Sequence, residues 1–151
     1  MKAQMSWLEV VRLEEVGGNT LGFCGGKFGP NGDFILAYSY HGAFHVWRSA
    51  ENGKRWDPDV VIGGHFDEVT DLQWDPKGAY LLSVSQDQTT RLHAPWVRHS
   101  EKEQQQVVWH ELGRPQVHGY NLSCITAISR TKFASGARKR LSVLLQLLQI
   151  S

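Results

Sequence analysis

The chain has 151 residues, 41% hydrophobic and 11% aromatic, enough for one ordinary domain with its own core, which excludes a disordered polymer. Its 16 Lys and Arg against 15 Asp and Glu leave a formal net charge of +1, so no overall field draws it to nucleic acid or to a membrane surface. Cys24 and Cys124 form no CxxC motif and read as buried, reduced thiols, and without a signal-like N-terminus or an apolar run of roughly 18 residues the chain reads as soluble and intracellular.

In chain order, a first strand is expected at Trp7 to Leu13, before the Gly17-Gly18 turn. An aromatic residue, Phe28, ends the next. Pro30 and Gly32 then bend the chain, and the apolar Phe34 to Ser39 follows as a strand, with Ala43 to Trp47 alternating after it. Val60 to Ile62 reads as a further strand before Gly63-Gly64-His65. Shifting the chain by 46 positions then lays Trp74, Pro76, Gly78 and the Tyr80 to Ser85 strand on Phe28, Pro30, Gly32 and the Phe34 to Ser39 strand, and Thr89 to His93 on Ala43 to Trp47. Val107 to Glu111 is a fourth strand of this second copy. A third, weaker copy runs from His118 through Ile128 to Phe133 and Gly136.

Four short strands repeating at slightly over 40 residues are the signature of β-propeller blades. The fold class is therefore all-β, with about two complete blades and one partial blade, too few to close a ring. The blades resemble those of the WD-repeat family, in which a Gly-His before the innermost strand is hydrogen-bonded to an Asp in the turn between the second and third strands, with a Ser or Thr and a Trp completing the network. The resemblance implies that role for His65, Ser83, Asp87 and Thr89, with His93 standing where the Trp belongs. In the first copy Trp47 is in place, but His41 occupies the Asp position and Gly17-Gly18 the Gly-His position. Pro30, Gly32, Pro76 and Gly78 are the turn residues.

A longer set of motifs is more distinctive. Glu15-Val16-Gly17-Gly18-Asn19-Thr20-Leu21-Gly22-Phe23, Gly63-Gly64-His65-Phe66-Asp67, Asp87-Gln88-Thr89-Thr90-Arg91-Leu92-His93-Ala94-Pro95-Trp96, Trp109-His110-Glu111, Arg114-Pro115-Gln116 and His118-Gly119-Tyr120 together resemble the Elongator subunit 2 family, over about residues 6 to 137. The resemblance implies a non-catalytic WD-repeat scaffold beside the largest and the catalytic Elongator subunits, serving tRNA wobble-uridine modification in cytoplasm and nucleus. A signalling or transcription adaptor, and a truncated product without a role of its own, are the alternatives. After Gly136-Ala137 the family continues with an acidic turn and a strand. Here Arg138-Lys139-Arg140 is followed by Leu141, Leu144, Leu145 and Leu148 at helical spacing, which predicts a short amphipathic helix and fits an alternative reading frame or splice product. The divisions expected are 1–62, 63–117, 118–137 and 138–151.

Other chemistry is weak. His41 and His45, four apart on a strand, stand roughly 13 Å from each other, too far to share a metal. Gly22 to Lys27 lacks P-loop spacing, because Leu21 and Phe28 stand where Gly and Ser or Thr are required. Ser83 has no nucleophile-elbow context. No cofactor, metal or membrane partner is expected. Of the basic residues Arg91, Arg98, His99, Lys102 and Arg114, the candidate contacts to a partner or an RNA backbone are Arg91, Arg98 and Arg114, with Trp96 as an exposed anchor; interleaved Glu101, Glu103 and Glu111 make 96–106 read as a solvated loop. Trp7, Trp56, Trp74 and Trp109 are expected to pack between blades.

Overall fold

A computed structural model describes residues 22–59, 63–99, 105–137 and 146–147. The strands expected at 7–13 and 60–62, Trp7, Gly17, Gly18, Lys102 and most of the tail lie outside these residues. The described strands are β1 (Phe23–Phe28), β2 (Phe34–Ser39), β3 (Phe44–Ala50), β4 (Arg55–Pro58), β5 (Val69–Trp74), β6 (Leu81–Ser85), β7 (Thr89–His99), β8 (Gln105–Val117), β9 (Leu122–Ser129), β10 (Lys132–Ala137) and β11 (Gln146–Leu147). They form three antiparallel sheets, ordered β1-β2-β3-β4, β5-β6-β7-β8 and β11-β10-β9. The sheets pack in chain order as an open arc of blades.

The repeated Pro and Gly make the same turn twice. Gly32 N–H donates to Gly29 C=O at 2.9 Å and Gly78 N–H to Asp75 C=O at 2.8 Å. Pro30 and Pro76 fill the second turn position, where a fixed φ is favourable, and Gly32 and Gly78 sit at φ of 73° and 72°, the left-handed conformation that closes such a hairpin. Asp75 adds side-chain bonds from Lys77 N–H (3.0 Å) and Ala79 N–H (3.2 Å).

Alternation then decides which face of each strand packs on which neighbour. Phe34, Leu36, Phe44 and Val46 of the first sheet are buried against Val69, Leu72 and Leu81 of the second, with Tyr38, Trp74 and Trp109 packed beside them. On the other side of the second sheet, Tyr80, Leu82 and Val84 are buried against Leu122, Ile125 and Phe133. Polar bonds cross at the inner strands: Trp74 Nε1–H donates to Phe28 C=O at 2.9 Å, Thr70 Oγ1–H to Leu122 C=O at 2.9 Å, and Ile125 N–H to Asp71 Oδ2 at 2.9 Å.

Several expectations are corrected. The fourth strand of the first sheet includes Arg55–Pro58, where two charges and a Pro in four residues hid the pattern. The supposed loop at 96–106 is largely strand: β7 runs to His99, β8 begins at Gln105, and Trp96 faces Val108 while Val97 faces Val107. These β-branched and aromatic cross-strand pairs outweigh the interleaved charges. Since β6 last pairs at Leu81↔His93, the ribbon beyond that pair projects past its own sheet. In the tail, Gln146 and Leu147 pair with Phe133 and Lys132 as a two-residue strand instead of continuing a helix. The edge of β10 offers ladder bonds, and a helix this short is marginal alone. Cys24 is half-buried, but Cys124 is exposed, because its position in β9 points away from the second sheet.

Candidate functional site

The loop 63–68 before β5 and the β6–β7 turn are joined through side chains without exposure. His65 Nδ1 lies 2.8 Å from Asp87 Oδ2, and His65 Nε2 lies 2.7 Å from Ser83 Oγ. Asp87 Oδ1 accepts from Thr89 N–H at 2.9 Å and from Thr89 Oγ1–H at 2.6 Å. His93 occupies the tryptophan place and extends the chain, its Nε2 being 3.2 Å from Ser83 Oγ.

With both rings neutral the protons have one consistent order. His93 Nε2–H donates to Ser83, Ser83 O–H donates to His65 Nε2, and His65 Nδ1–H donates to Asp87. Burial, the largest influence, lowers the His65 pKa despite Asp87, and burial followed by the proximity of His65 lowers that of His93 to about 4. Burial alone would raise the Asp87 pKa, but hydrogen bonds from Thr89 and His65 outweigh it and hold it below its usual value. Phe44 from the first sheet lies edge-on to both rings, at centroid distances of 6.2 Å to His65 and 5.3 Å to His93.

Arg91 is corrected here. Expected as a surface contact, it is 1% exposed. Its Nη2 donates to Asp87 at 3.4 Å, its Nε to Thr89 Oγ1 at 3.2 Å and its Nη1 to Glu111 at 2.6 Å. The period of two along β7 carries this signal: Thr89, Arg91 and His93 share a face, so an Arg between two network residues turns inward with them. Glu111, also missed as a member, bridges Arg91 and Arg114, whose Nε lies at 3.2 Å. Burial pushes the Glu111 pKa up, but those two guanidiniums hold it below its usual value. Asp87 and Glu111 thus balance Arg91 and Arg114 while both histidines stay neutral. On the opposite face of the sheet, Gln116 Oε1 accepts from Thr90 Oγ1 at 3.3 Å and from Ser135 Oγ at 2.7 Å, tying the second sheet to the third.

The remaining sequence candidates separate from this cluster. Trp96 is 62% exposed on the projecting ribbon, Arg98 lies in the same ribbon paired with Gln106, and Arg114 is exposed beside Glu111. Trp47 is buried in the first sheet with Phe23 edge-on at 5.5 Å. There Ser39 Oγ donates to Ala43 C=O at 3.2 Å, within its own turn. Trp56 lies 6.2 Å from Phe28, and Trp74 lies 5.4 Å from Trp109 at the inter-sheet contact. Among the described residues no group of three His, Cys, Asp or Glu side chains could hold a metal, and no helix is long and apolar enough to cross a membrane.

Four-stranded antiparallel blades packed face to face, with loop and turn locked by a buried His-Ser-Asp chain, define a WD-repeat protein of β-propeller blades. The sequence pattern of the family described as "WD domain, G-beta repeat" matches residues 56–93. The chain is homologous to a segment of Elongator complex protein 2. It is 53% identical to that protein of Mus musculus over 135 residues, and likewise 53% identical to that of Homo sapiens. To that of Saccharomyces cerevisiae it is 38% identical over 110 residues. The mouse and human matches cover 89% of the chain but 16% of those proteins, and the yeast match covers 72% and 14%. The chain therefore spans about a sixth of the length of these relatives.

Proposed function

We propose that the chain acts as a non-catalytic WD-repeat scaffold within an Elongator-type assembly, holding the largest and the catalytic subunits together for tRNA wobble-uridine modification in cytoplasm and nucleus. The observation that carries this reading is the burial of the very residues that could otherwise do chemistry. Ser83, His65 and Asp87 have the partners of a nucleophilic triad, yet all three are enclosed, with Phe44 over the imidazoles, so no substrate carbonyl reaches the Ser83 hydroxyl. Their hydrogen bonds hold a loop to a turn. What faces outward instead is the ribbon with Trp96, Val97 and Val107, the composition of a protein contact. Arg98 and Arg114 remain the candidates for an RNA backbone contact, and Arg91 is withdrawn from that role.

The test is affinity copurification of the tagged chain from its own cells, with full-length Elongator complex protein 2 as the control. Recovery of the largest and the catalytic subunits with the tagged chain is the expected result. Their absence, with the control recovering both, refutes the scaffold role.

A further inference from the structure

The pair Asn-Gly occurs twice, at Asn31-Gly32 in the β1–β2 turn and at Asn52-Gly53 in the β3–β4 loop, and both asparagines are exposed. An Asn before Gly is chemically labile. With no Cβ on the following residue, its backbone nitrogen can approach the Asn side-chain carbonyl carbon, provided that the Asn ψ turns until the two meet. The two loops differ in how firmly they hold that angle. Asn31 sits in a closed turn, where Gly32 N–H donates to Gly29 C=O at 2.9 Å, Gly29 N–H to Phe34 C=O at 2.8 Å, and Ser49 N–H of β3 to Asp33 C=O at 2.8 Å. Attack by the Gly32 nitrogen would break the first of these bonds and turn the chain against the other two. The Asn52 loop is strained and loosely closed. Glu51, Asn52 and Gly53 follow one another at φ of 50°, 56° and 86°, all left-handed, a conformation unfavourable for a residue with a long side chain such as Glu51. The bond across the loop, Lys54 N–H to Glu51 C=O, is 3.4 Å, longer than the roughly 3.2 Å at which ordinary N–H···O bonds end. A Cβ placed on Gly53 would find nothing closer than Ser49 Oγ at 4.0 Å, so there is room around the attacking nitrogen. Among the described residues β4 pairs with β3 alone and is four residues long, and such an outer strand opens readily at its end.

We propose that Asn52 is a self-modification site, its amide exchanged for a carboxylate through a cyclic imide with Gly53, while Asn31 is protected by its turn. The Gly53 backbone nitrogen gives up its proton to solvent and bonds to the Asn52 side-chain carbonyl carbon, and the side-chain nitrogen leaves as ammonia. Water then adds to one of the two imide carbonyls and breaks that carbon's bond to the ring nitrogen, which regains a proton. Opening at the side-chain carbonyl gives Asp. Opening at the main-chain carbonyl gives isoaspartate, whose main chain runs through the side chain and is longer by one methylene. One water is consumed, one ammonia is released, and nothing is oxidised or reduced. Residues 51–58 carry two acids, Glu51 and Asp57, against two bases, Lys54 and Arg55, so the new carboxylate gives a balanced hairpin one net negative charge. The extra methylene falls inside the loop that closes at the Ala50↔Arg55 pair, so conversion loosens the strand that carries Trp56 against Phe28. The site is separate from the buried network and does not depend on the scaffold reading.

The test is a timed incubation of the purified 151-residue chain in heavy-oxygen water at body temperature and mildly alkaline pH, then trypsin in ordinary water and mass spectrometry. Cleavage after Lys27, Arg48 and Lys54 leaves Asn31 as the sole Asn of peptide 28–48 and Asn52 as the sole Asn of peptide 49–54. Heavy oxygen marks acid formed during the incubation and not in the digest. In the folded chain the label is expected to enter at Asn52 at least about tenfold faster than at Asn31, because opening the loop requires less than opening the turn. Both Asp and isoaspartate are expected at position 52, told apart by fragmentation. In urea that unfolds the chain the two rates are expected to come within about threefold of each other, since each is then a plain Asn-Gly. Equal rates in the folded chain, faster labelling at Asn31, a tenfold difference that persists in urea, or Asp without isoaspartate overturns the proposal.

Discussion

Replacing Asp87 by Ala removes the acceptor on which loop, turn and buried cation converge. Its carboxylate receives His65 at 2.8 Å, Thr89 at 2.9 and 2.6 Å, and Arg91 at 3.4 Å, and its side chain has no exposure. Loss of neutral hydrogen bonds alone would cost about 1–3 kcal/mol. Arg91 raises the figure, because among the described residues a guanidinium that is 1% exposed then keeps only Glu111 as a counter-charge. Breaking a buried pair by removing one partner costs about 3–5 kcal/mol. With a urea slope of about 2 kcal/mol per M, the midpoint of a urea melt should fall by about 1.5–2.5 M. Asp87→Asn, which keeps the shape and loses the charge, should fall between the two. Adding Arg91→Met to Asp87→Ala should recover part of the loss, since the stranded cation is then gone. A midpoint within roughly 0.3 M of the unaltered chain would refute the reasoning, and so would a double variant as unstable as the sum of its singles.

Three further outcomes are expected. His93 titrates at about 4 in the folded chain against an ordinary value of 6.5, so its contribution is intact above pH 6.5 and is lost as the pH falls from there toward 4, an effect on the order of 3 kcal/mol. Urea midpoints measured between pH 7 and 4.5 should show this loss, and His93→Phe should lessen it; an unchanged profile in that variant would show that His93 is not its source. Gly42→Ala places a Cβ 2.5 Å from the His65 carbonyl oxygen at a φ of 80°, whereas Gly53→Ala at a φ of 86° meets nothing closer than 4.0 Å. Thermal melts should therefore show Gly42→Ala losing well over the ~1–2 kcal/mol of the backbone cost, and Gly53→Ala losing about that amount alone. Trp96→Ser, at a 62% exposed site, should leave stability within about 0.5 kcal/mol while reducing recovery of partner subunits on copurification; undiminished recovery would remove Trp96 from the contact surface.

What could be read in the sequence was local and repeated. Pro30 with Gly32 and Pro76 with Gly78 encode a turn in four residues, and alternation after each turn encodes the strands, so the blade architecture was legible. His65, Ser83 and Asp87 were nameable because the blade motif fixes their spacing, and the structure brings them to within 2.7–2.8 Å. The charge of Arg91 by itself points to the surface, while its place between Thr89 and His93 on one face of β7 turns it inward. Glu111 was harder, since its pairing with Arg91 across 20 residues depends on register shifts between β7 and β8 near Leu92. β4 gave no signal, because a four-residue outer strand is made by its neighbour's ladder more than by its own composition. The Trp96 ribbon has strand-forming residues, and their cross-strand pairing outweighs the interleaved charges that make the segment look like a loop.

Trp74 reaches the carbonyl of Phe28, 46 positions earlier and at the same place in the preceding repeat, and the turn at Gly78 sits against Pro30 of the turn before it. The surface offered by one blade thus differs from the surface that receives it, which makes the contact head-to-tail in the sense used for subunits. Such a contact contains no instruction to stop. Adding a blade covers one surface and presents another of the same kind, so the number of blades is set by the rotation gained at each step and ends when the last comes round to the first.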